Sequence, residues 1–316
     1  MHIPDGFLDA KTAVASAVLS AVGVGMALRQ ARKTLPARRV PMLGLAAAFV
    51  FAAQMLNFPV AGGTSGHLIG ATLVAVLLGP GAAVIALTAV LVVQCFLFND
   101  GGLTALGANI FNMAIVATLV GYGVYRLVRR FVPGQRGLIL AAAFAGWCST
   151  VVAAISCAGQ LAVSGTVPWS VSFPAMAGVH MLIGIGEGLI TALVILAIVR
   201  LRADLLDDEA VAVAAMPVTA FVGFGLVAAL GLALFVSPFA CKWPDGLEKV
   251  AATLGFEHHA IEKPLLAAPI PDYALPGIGS AVVATALTGV IGTVVVFGLS
   301  LLLARVLIPH PTLESR

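Results

Sequence analysis

The chain has 316 residues, of which 60% are hydrophobic and 10% charged, and its formal net charge is +3. A soluble domain carries roughly 25% charged residues, and a soluble fold of this length cannot hide so much apolar surface, so a soluble enzyme and a disordered chain are both excluded. No basic cluster is dense enough to neutralise many phosphates, which excludes a nucleic-acid binder.

The apolar residues come in long runs separated by short basic clusters, the pattern of an all-α, polytopic membrane protein. The opening Met1-His2-Ile3-Pro4-Asp5-Gly6 has no basic n-region and no cleavage site. Met1, followed by the bulky His2, is expected to be the mature terminus. The first run covers about 12–28 and ends at Arg29, Arg32, Lys33, Arg38 and Arg39. The second, about 41–57, stops at Asn57-Phe58-Pro59, and a glycine-rich turn follows, Gly62-Gly63-Thr64-Ser65-Gly66-His67. The next 32 residues, 67–98, are broken by Gly79-Pro80-Gly81 into a short helix, a turn and a full helix. The short piece, 67–78, is only about 18 Å long at 1.5 Å per residue. It cannot cross a core of about 30 Å unaided, so neighbours must shelter it.

Further runs cover about 103–125, 138–163 and 173–199, and after a polar link two more cover about 216–236 and 277–304. The reading is a seven-helix domain over 1–203, a cytoplasmic linker over 204–215 and a two-helix part over 216–316 with an outer loop at 237–276. Within that loop, Leu247, Val250, Ala251 and Leu254 recur at helical spacing and Gly255 sits at a C-cap position, which predicts a short amphipathic helix. Cys95, Cys148 and Cys157 lie in apolar runs and Cys241 in a loop, and all four read as packing residues.

The positive-inside rule orients this count. With the N-terminus outside and the C-terminus inside, the inner side holds 13 of the 17 basic residues: Arg29, Arg32, Lys33, Arg38, Arg39, Arg126, Arg129, Arg130, Arg136, Arg200, Arg202, Arg305 and Arg316. Only Lys11, Lys242, Lys249 and Lys263 fall outside, where they meet eight acidic residues: Asp5, Asp9, Asp100, Asp245, Glu248, Glu257, Glu262 and Asp272. The near-neutral total therefore conceals a basic inner face and an acidic outer one.

The amino terminus carries the most specific chemistry. A free amine at Met1, the main-chain nitrogen of His2 and its imidazole Nδ1 can close a five-membered and a six-membered chelate ring on one metal. Three nitrogens then occupy three corners of a square, and a second imidazole can take the fourth. Such ligation suits Ni(II) and Cu(II), and it releases protons because the amide must ionise. The alternative is an ordinary second-position histidine on a frayed terminus. Pro4 and the Asp5-Gly6 turn give the terminus a shape, and His67 lies on the same side of the membrane, but the dipeptide alone leaves both readings open.

Glu187 is the one acidic residue inside a span, and His180 precedes it by seven residues, about 10 Å along the same helix face. Either the pair supports the N-terminal loop or it is a buried structural anchor. Asn57, Asn109 and Asn112 read as loop supports through their amides. His258-His259 in the outer loop could gather metal or be incidental. Glycines 184, 186 and 188 allow close packing of helices, within the chain or against a partner.

The segment Met1-His2-Ile3-Pro4-Asp5-Gly6-Phe7-Leu8-Asp9 resembles the start of the nickel/cobalt substrate-binding (S) components of energy-coupling-factor transporters, the NikM/CbiM family. Gln54-Met55-Leu56-Asn57-Phe58-Pro59-Val60-Ala61-Gly62-Gly63-Thr64-Ser65-Gly66-His67 is similar to a second signature of that family, and His180-Met181-Leu182-Ile183-Gly184-Ile185-Gly186-Glu187 to a third. The resemblance spans roughly 1–203. Ser237-Pro238-Phe239 and Pro244-Asp245-Gly246-Leu247-Glu248 resemble the NikN-type accessory subunit, here fused to the same chain.

The resemblance implies a metal site formed by the Met1 amine, the amide and imidazole nitrogens of His2 and the His67 imidazole. Asn57, Asn109, His180 and Glu187 would stand around it. It implies a multi-pass protein of the inner membrane, carrying Ni(II), with Co(II) for cobalamin synthesis as the alternative cargo. It also implies a membrane coupling (T) subunit and ATPase subunits as partners, since this chain has no phosphate loop, no H-E-x-x-H and no nucleophile elbow. A passive channel would need a continuous polar pore that these spans do not supply. A membrane metal sensor is a more remote reading. An intramembrane metalloenzyme would need an open coordination position, which a four-nitrogen square lacks. Reporter fusions should place residue 316 in the cytoplasm and 237–276 outside; the opposite signal at either site would break this topology.

Overall fold

A computed structural model describes residues 1–206, 217–261, 263 and 265–307. Most of the expected 204–215 linker, together with Glu262 and the tail from 308 that carries Glu314 and Arg316, lies outside the described residues. Eleven α-helices are found among the rest. α1 (Ala10–Thr34) starts at Asp9, whose side chain accepts from Thr12 N at 3.0 Å. α2 (Val40–Gln54) leads to an antiparallel hairpin, Phe58–Val60 against Thr64–Gly66. The glycine-rich turn is thus the tip of a two-stranded ribbon, an exception to the all-α expectation.

α3 (Ala71–Leu78) is shorter than the predicted 67–78. Gly70 takes a left-handed φ of 79°, and the amides of Ile69 and Gly70 are held by Glu187, so the helix cannot begin at His67. Gly79, at φ 85°, ends α3, and Pro80 opens α4 (Pro80–Phe98), where its missing N–H costs no helical bond. α5 (Leu106–Asn109) continues through a π-helical turn at Ile110–Val116 into α6 (Ala117–Phe131). α7 (Gly134–Val163) and α8 (Trp169–Arg202) form a long antiparallel pair. α9 (Val218–Gly231) runs into a second π turn at Leu232–Val236, and α11 (Ala281–Leu307) follows the outer loop. The predicted amphipathic helix is α10 (Gly246–Leu254), which buries Leu247, Val250 and Ala251 and is capped by Gly255. Seven helical segments are long and apolar enough to cross a membrane: 10–34, 80–98, 106–131, 134–163, 169–205, 218–239 and 281–306.

The packing is turned out as lipid requires. α1 presents Val14, Val18, Leu19, Val22 and Met26 to the surroundings and buries Thr12, Ser16, Ser20 and Ala27. Without water outside, large apolar side chains gain nothing by turning inward, and small or hydroxylated residues let helices approach. Ser20 accordingly donates to Gly107 O at 2.6 Å. Glycines 184, 186 and 188 are filled from within this chain, against Trp147, the Phe58 ring and Ala143 respectively, so they are not a free face for a partner.

The segments predicted to be outer meet at one end of the bundle. Thr104 donates through its amide and hydroxyl to Asp5 Oδ1, and Ile261 N donates to Asp5 O at 2.9 Å. Cys241 N donates to Asn57 O at 2.8 Å, and Tyr273 donates to Asp100 at 2.5 Å.

Candidate metal centre

The first nine residues fold back into this end of the bundle instead of fraying. Asn109, on α5, grips Ile3 twice, accepting from its N at 2.8 Å and donating to its O at 3.1 Å. Gly102 N also donates to Ile3 O, and Thr166 donates to Phe7 O. Ile3 and Phe7 are buried with Met1, so apolar contact and main-chain hydrogen bonds act together.

This anchoring places the Met1 amine 3.0 Å from His67 Nε2 and 2.5 Å from Asp245 Oδ2. The imidazoles of His2 and His67 stack with centroids 5.3 Å apart and planes inclined by 22°. His67 Nδ1 lies 3.0 Å from Leu68 O, a contact that needs the proton on Nδ1 and leaves Nε2 with its lone pair toward Met1. Burial, with the Met1 ammonium and His2 adding to it, pushes the His67 pKa down to about 3, so the ring is neutral at pH 7.

Both nitrogens of His2 face oxygen acceptors, Nδ1 toward Asp100 Oδ1 at 3.2 Å and Nε2 toward Gln94 Oε1 at 3.2 Å. Gln94 is oriented by donating to Gln54 Oε1 at 2.8 Å, and Gln54 donates to Ile69 O at 3.0 Å. Burial lowers the His2 pKa against the raising effect of Asp100. A neutral ring can serve only one of the two acceptors. Beside the two imidazoles lies a cavity of about 280 Å³ lined by Gln54, Asn57, Asp100, Asp245 and Tyr273 among others.

Glu187 supports the loop from beneath, its carboxylate accepting from Ile69 N at 2.5 Å and Gly70 N at 2.9 Å. His180 Nδ1 donates to Met176 O at 2.8 Å, and Gly246 packs on its ring edge. Asn57 meets the C-terminal part through its main chain, and its side-chain oxygen is buried with no hydrogen-bond partner among the described residues. Asn112 bonds Gln160 and Ser156, away from the amino terminus. His258 and His259 are exposed, with ring centroids 4.3 Å apart and planes inclined by 33°.

Sequence reasoning missed Asp100, Gln54 and Gln94 as neighbours of the terminus, and read Asp245 only as part of a resemblance. Polar amides inside apolar runs were the available signal for the two glutamines. Among the described residues no group of three or more His, Cys, Asp or Glu side chains is disposed to hold a metal ion.

The bundle and its inserted amino terminus define a multi-pass membrane protein with a buried nitrogen cluster at one end. The family model for the cobalt uptake substrate-specific transmembrane region matches residues 2–205, and that for the PDGLE domain matches 219–309. The chain belongs to this cobalt-uptake transmembrane family, with a PDGLE domain fused behind it. It is 38% identical over 313 residues to a putative fused nickel transport protein NikMN of Archaeoglobus fulgidus, covering 96% of this chain and 98% of that one. It is 38% identical over 216 residues to the cobalt transport protein CbiM 1 of Pelobacter propionicus, covering 65% of this chain and 93% of that one. A crystallographic transition metal transporter, 36% identical, superposes with a TM-score of 0.58 over 63% of this chain and 93% of its own. The chain is thus a membrane component of divalent transition-metal uptake and not an enzyme.

The Glu187 clamp generates one prediction. Glu187→Gln keeps the shape but offers one acceptor oxygen to two amides, and its NH₂ would oppose an N–H. A buried N–H left without its acceptor costs about 1–3 kcal/mol, so the variant's thermal midpoint in detergent should fall; an unchanged midpoint would contradict the clamp.

Proposed function

We propose that the chain is the substrate-binding component for ATP-driven uptake of Ni(II), held in a square of four nitrogens: the Met1 amine, the His2 amide, His2 Nδ1 and His67 Nε2. The observation that carries this reading is the 3.0 Å separation of the Met1 nitrogen and His67 Nε2. Imidazole nitrogens bind first-row divalent ions at about 2.0 Å, which puts adjacent corners of a square about 2.8 Å apart. The separation of the amine and the second imidazole is thus close to what adjacent corners require.

The tautomers support the same reading. Leu68 O takes the Nδ1 proton of His67 and leaves Nε2 bare, and Gln94 Oε1 stands where it would accept the Nε2 proton of His2 once Nδ1 turns from Asp100 to the metal. In the loaded centre His67 Nε2 and His2 Nδ1 would be the two bare imidazole nitrogens the square needs. Such outer hydrogen bonds fix ring orientation and raise ligand basicity. In the metal-free chain His2 Nδ1 faces Asp100, so loading exchanges that contact for the metal.

Nickel is favoured over cobalt by the four-nitrogen square and by the relative from Archaeoglobus fulgidus, a putative nickel transport protein similar over nearly the whole chain. Cobalt uptake is the second reading, favoured by the CbiM relatives. We place the amino terminus outside and the carboxyl terminus inside, with seven helices over 1–203 and two further spans after the linker. Family membership implies a coupling membrane subunit and ATPase subunits, which would drive release on the inner side.

An alanine inserted between Met1 and His2 should abolish nickel binding, because it destroys both chelate rings; unchanged calorimetric affinity would overturn the site. His67→Ala should alter the visible absorption band of the nickel complex, and an unaltered band would remove His67 from the ligand set. Competition between nickel and cobalt on the purified chain, followed by metal analysis, should leave nickel bound; retention of cobalt would select the second reading.

A further inference from the structure

The C-terminal part touches the proposed centre through one atom pair. We propose that Asp245 is a positioning residue that aims the Met1 amine at the metal, so that the fused C-terminal part completes the centre. This inference rests on the four-nitrogen reading above.

The Asp245 carboxylate has no freedom of its own. Its Oδ1 accepts from Leu247 N at 2.8 Å and Glu248 N at 2.9 Å, and Glu248 returns a bond to Asp245 N at 2.9 Å, closing a capping box at the start of α10. The remaining oxygen, Oδ2, is therefore fixed in direction, and it meets the Met1 nitrogen. The turn that carries it is clipped to the hairpin leading to His67: Ser65 N donates to Pro244 O at 2.8 Å, and Ser65 Oγ donates to Trp243 O at 2.7 Å. Gly246 fits against the His180 ring with no room for a Cβ. One rigid surface thus fixes both His67 and the acceptor for the amine.

A metal-bound amine keeps two N–H groups. With one of them given to Asp245 Oδ2, rotation about the Met1 Cα–N bond is fixed and the lone pair is turned toward the centre of the square, the point that His67 Nε2 also faces. Asp245 stays outside the ligand set; without it the amine turns among three staggered positions, only one of which is productive.

The test uses the full chain in detergent, with Ni(II) as the probe. Asp245→Ser preserves the N-cap oxygen but cannot reach the amine. Asp245→Asn preserves the cap and turns an NH₂ toward the amine. Glu248→Ala removes only the bond to Asp245 N and leaves both main-chain donors on Asp245 Oδ1, so it perturbs α10 without freeing the carboxylate. Both Asp245 variants should bind nickel about 10- to 100-fold more weakly with the absorption band unmoved, and Glu248→Ala should bind as the parent does. Parent-like affinity in both Asp245 variants would overturn the proposal. So would an equal loss in Glu248→Ala, which would make the effect one of α10 packing, or a shifted band, which would make Asp245 a ligand. The alanine insertion after Met1 separates this failure from the other: if that insertion leaves binding intact, the four-nitrogen centre itself falls, whatever the Asp245 variants do.

Discussion

The burial of the Met1 amine is the constraint on which the rest of this end of the molecule depends. Chain termini normally fray because nothing compensates their charge or ordering entropy. Here the terminal residue is 4% exposed, and its nitrogen is satisfied by groups 66 and 244 residues away. A terminus can stay there only if the chain behind it is held at every step. Asn109 on Ile3, Thr104 on Asp5 and Thr166 on Phe7 provide that hold, the first two from α5 and the turn before it and the third from the turn after α7. Asp245 bears the opposite charge to the amine. Burial opposes its ionisation, but the Met1 ammonium and His67 outweigh that and hold its pKa below the usual carboxylate range.

A second layer of polar contacts governs the imidazoles, and it works through main chain. The stretch 68–70 gives its carbonyls to His67 and Gln54 and its amides to Glu187. These four main-chain groups would otherwise be left unsatisfied in a turn buried among helices, which costs about 1–3 kcal/mol for each group left unpaired. The same bonds also stop α3 short of His67 and fix which nitrogen of the His67 ring is bare. Structure and chemistry are not separable at this turn: a helix begun at His67 would consume the amides that Glu187 now holds.

The helices were legible in the sequence because lipid removes the ambiguity that soluble patterns carry: long apolar runs and a Gly-Pro-Gly break admit few readings. The boundary at His67 was not, because it is set by Glu187, more than a hundred residues later, and no local propensity records that. The hairpin at 58–66 was read only as a turn, since three-residue strands leave no period to detect. At the amino terminus the spacing of the nitrogens in Met1-His2 left a chelating and a frayed reading both open, and Asn109 and Glu187 stood out as polar residues in apolar surroundings, where the structure has them bonded to Ile3 and to the amides of Ile69 and Gly70. Asn112 and the His258-His259 pair looked equally eligible, and the fold spends the first on Gln160 and Ser156 and leaves the second exposed. The difference lies in which loop each one faces, a tertiary property.

A centre built on main-chain nitrogen has a consequence for how such a protein must be made. Side-chain ligands tolerate small shifts of the chain because each brings its own rotamers. A terminal amine and the next amide bring almost none, so their geometry is the geometry of the terminus itself. That explains why so much fixed polar structure, Asn109, Gln94 with Gln54, Glu187 and Asp100, surrounds two residues. It also gives the C-terminal part a physical reason to lie over this end. In the proposed centre the amine stands at the free end of the chain, and a carboxylate bonded to it comes from the start of α10. That nitrogen is where the second part of the chain reaches into the amino-terminal cluster.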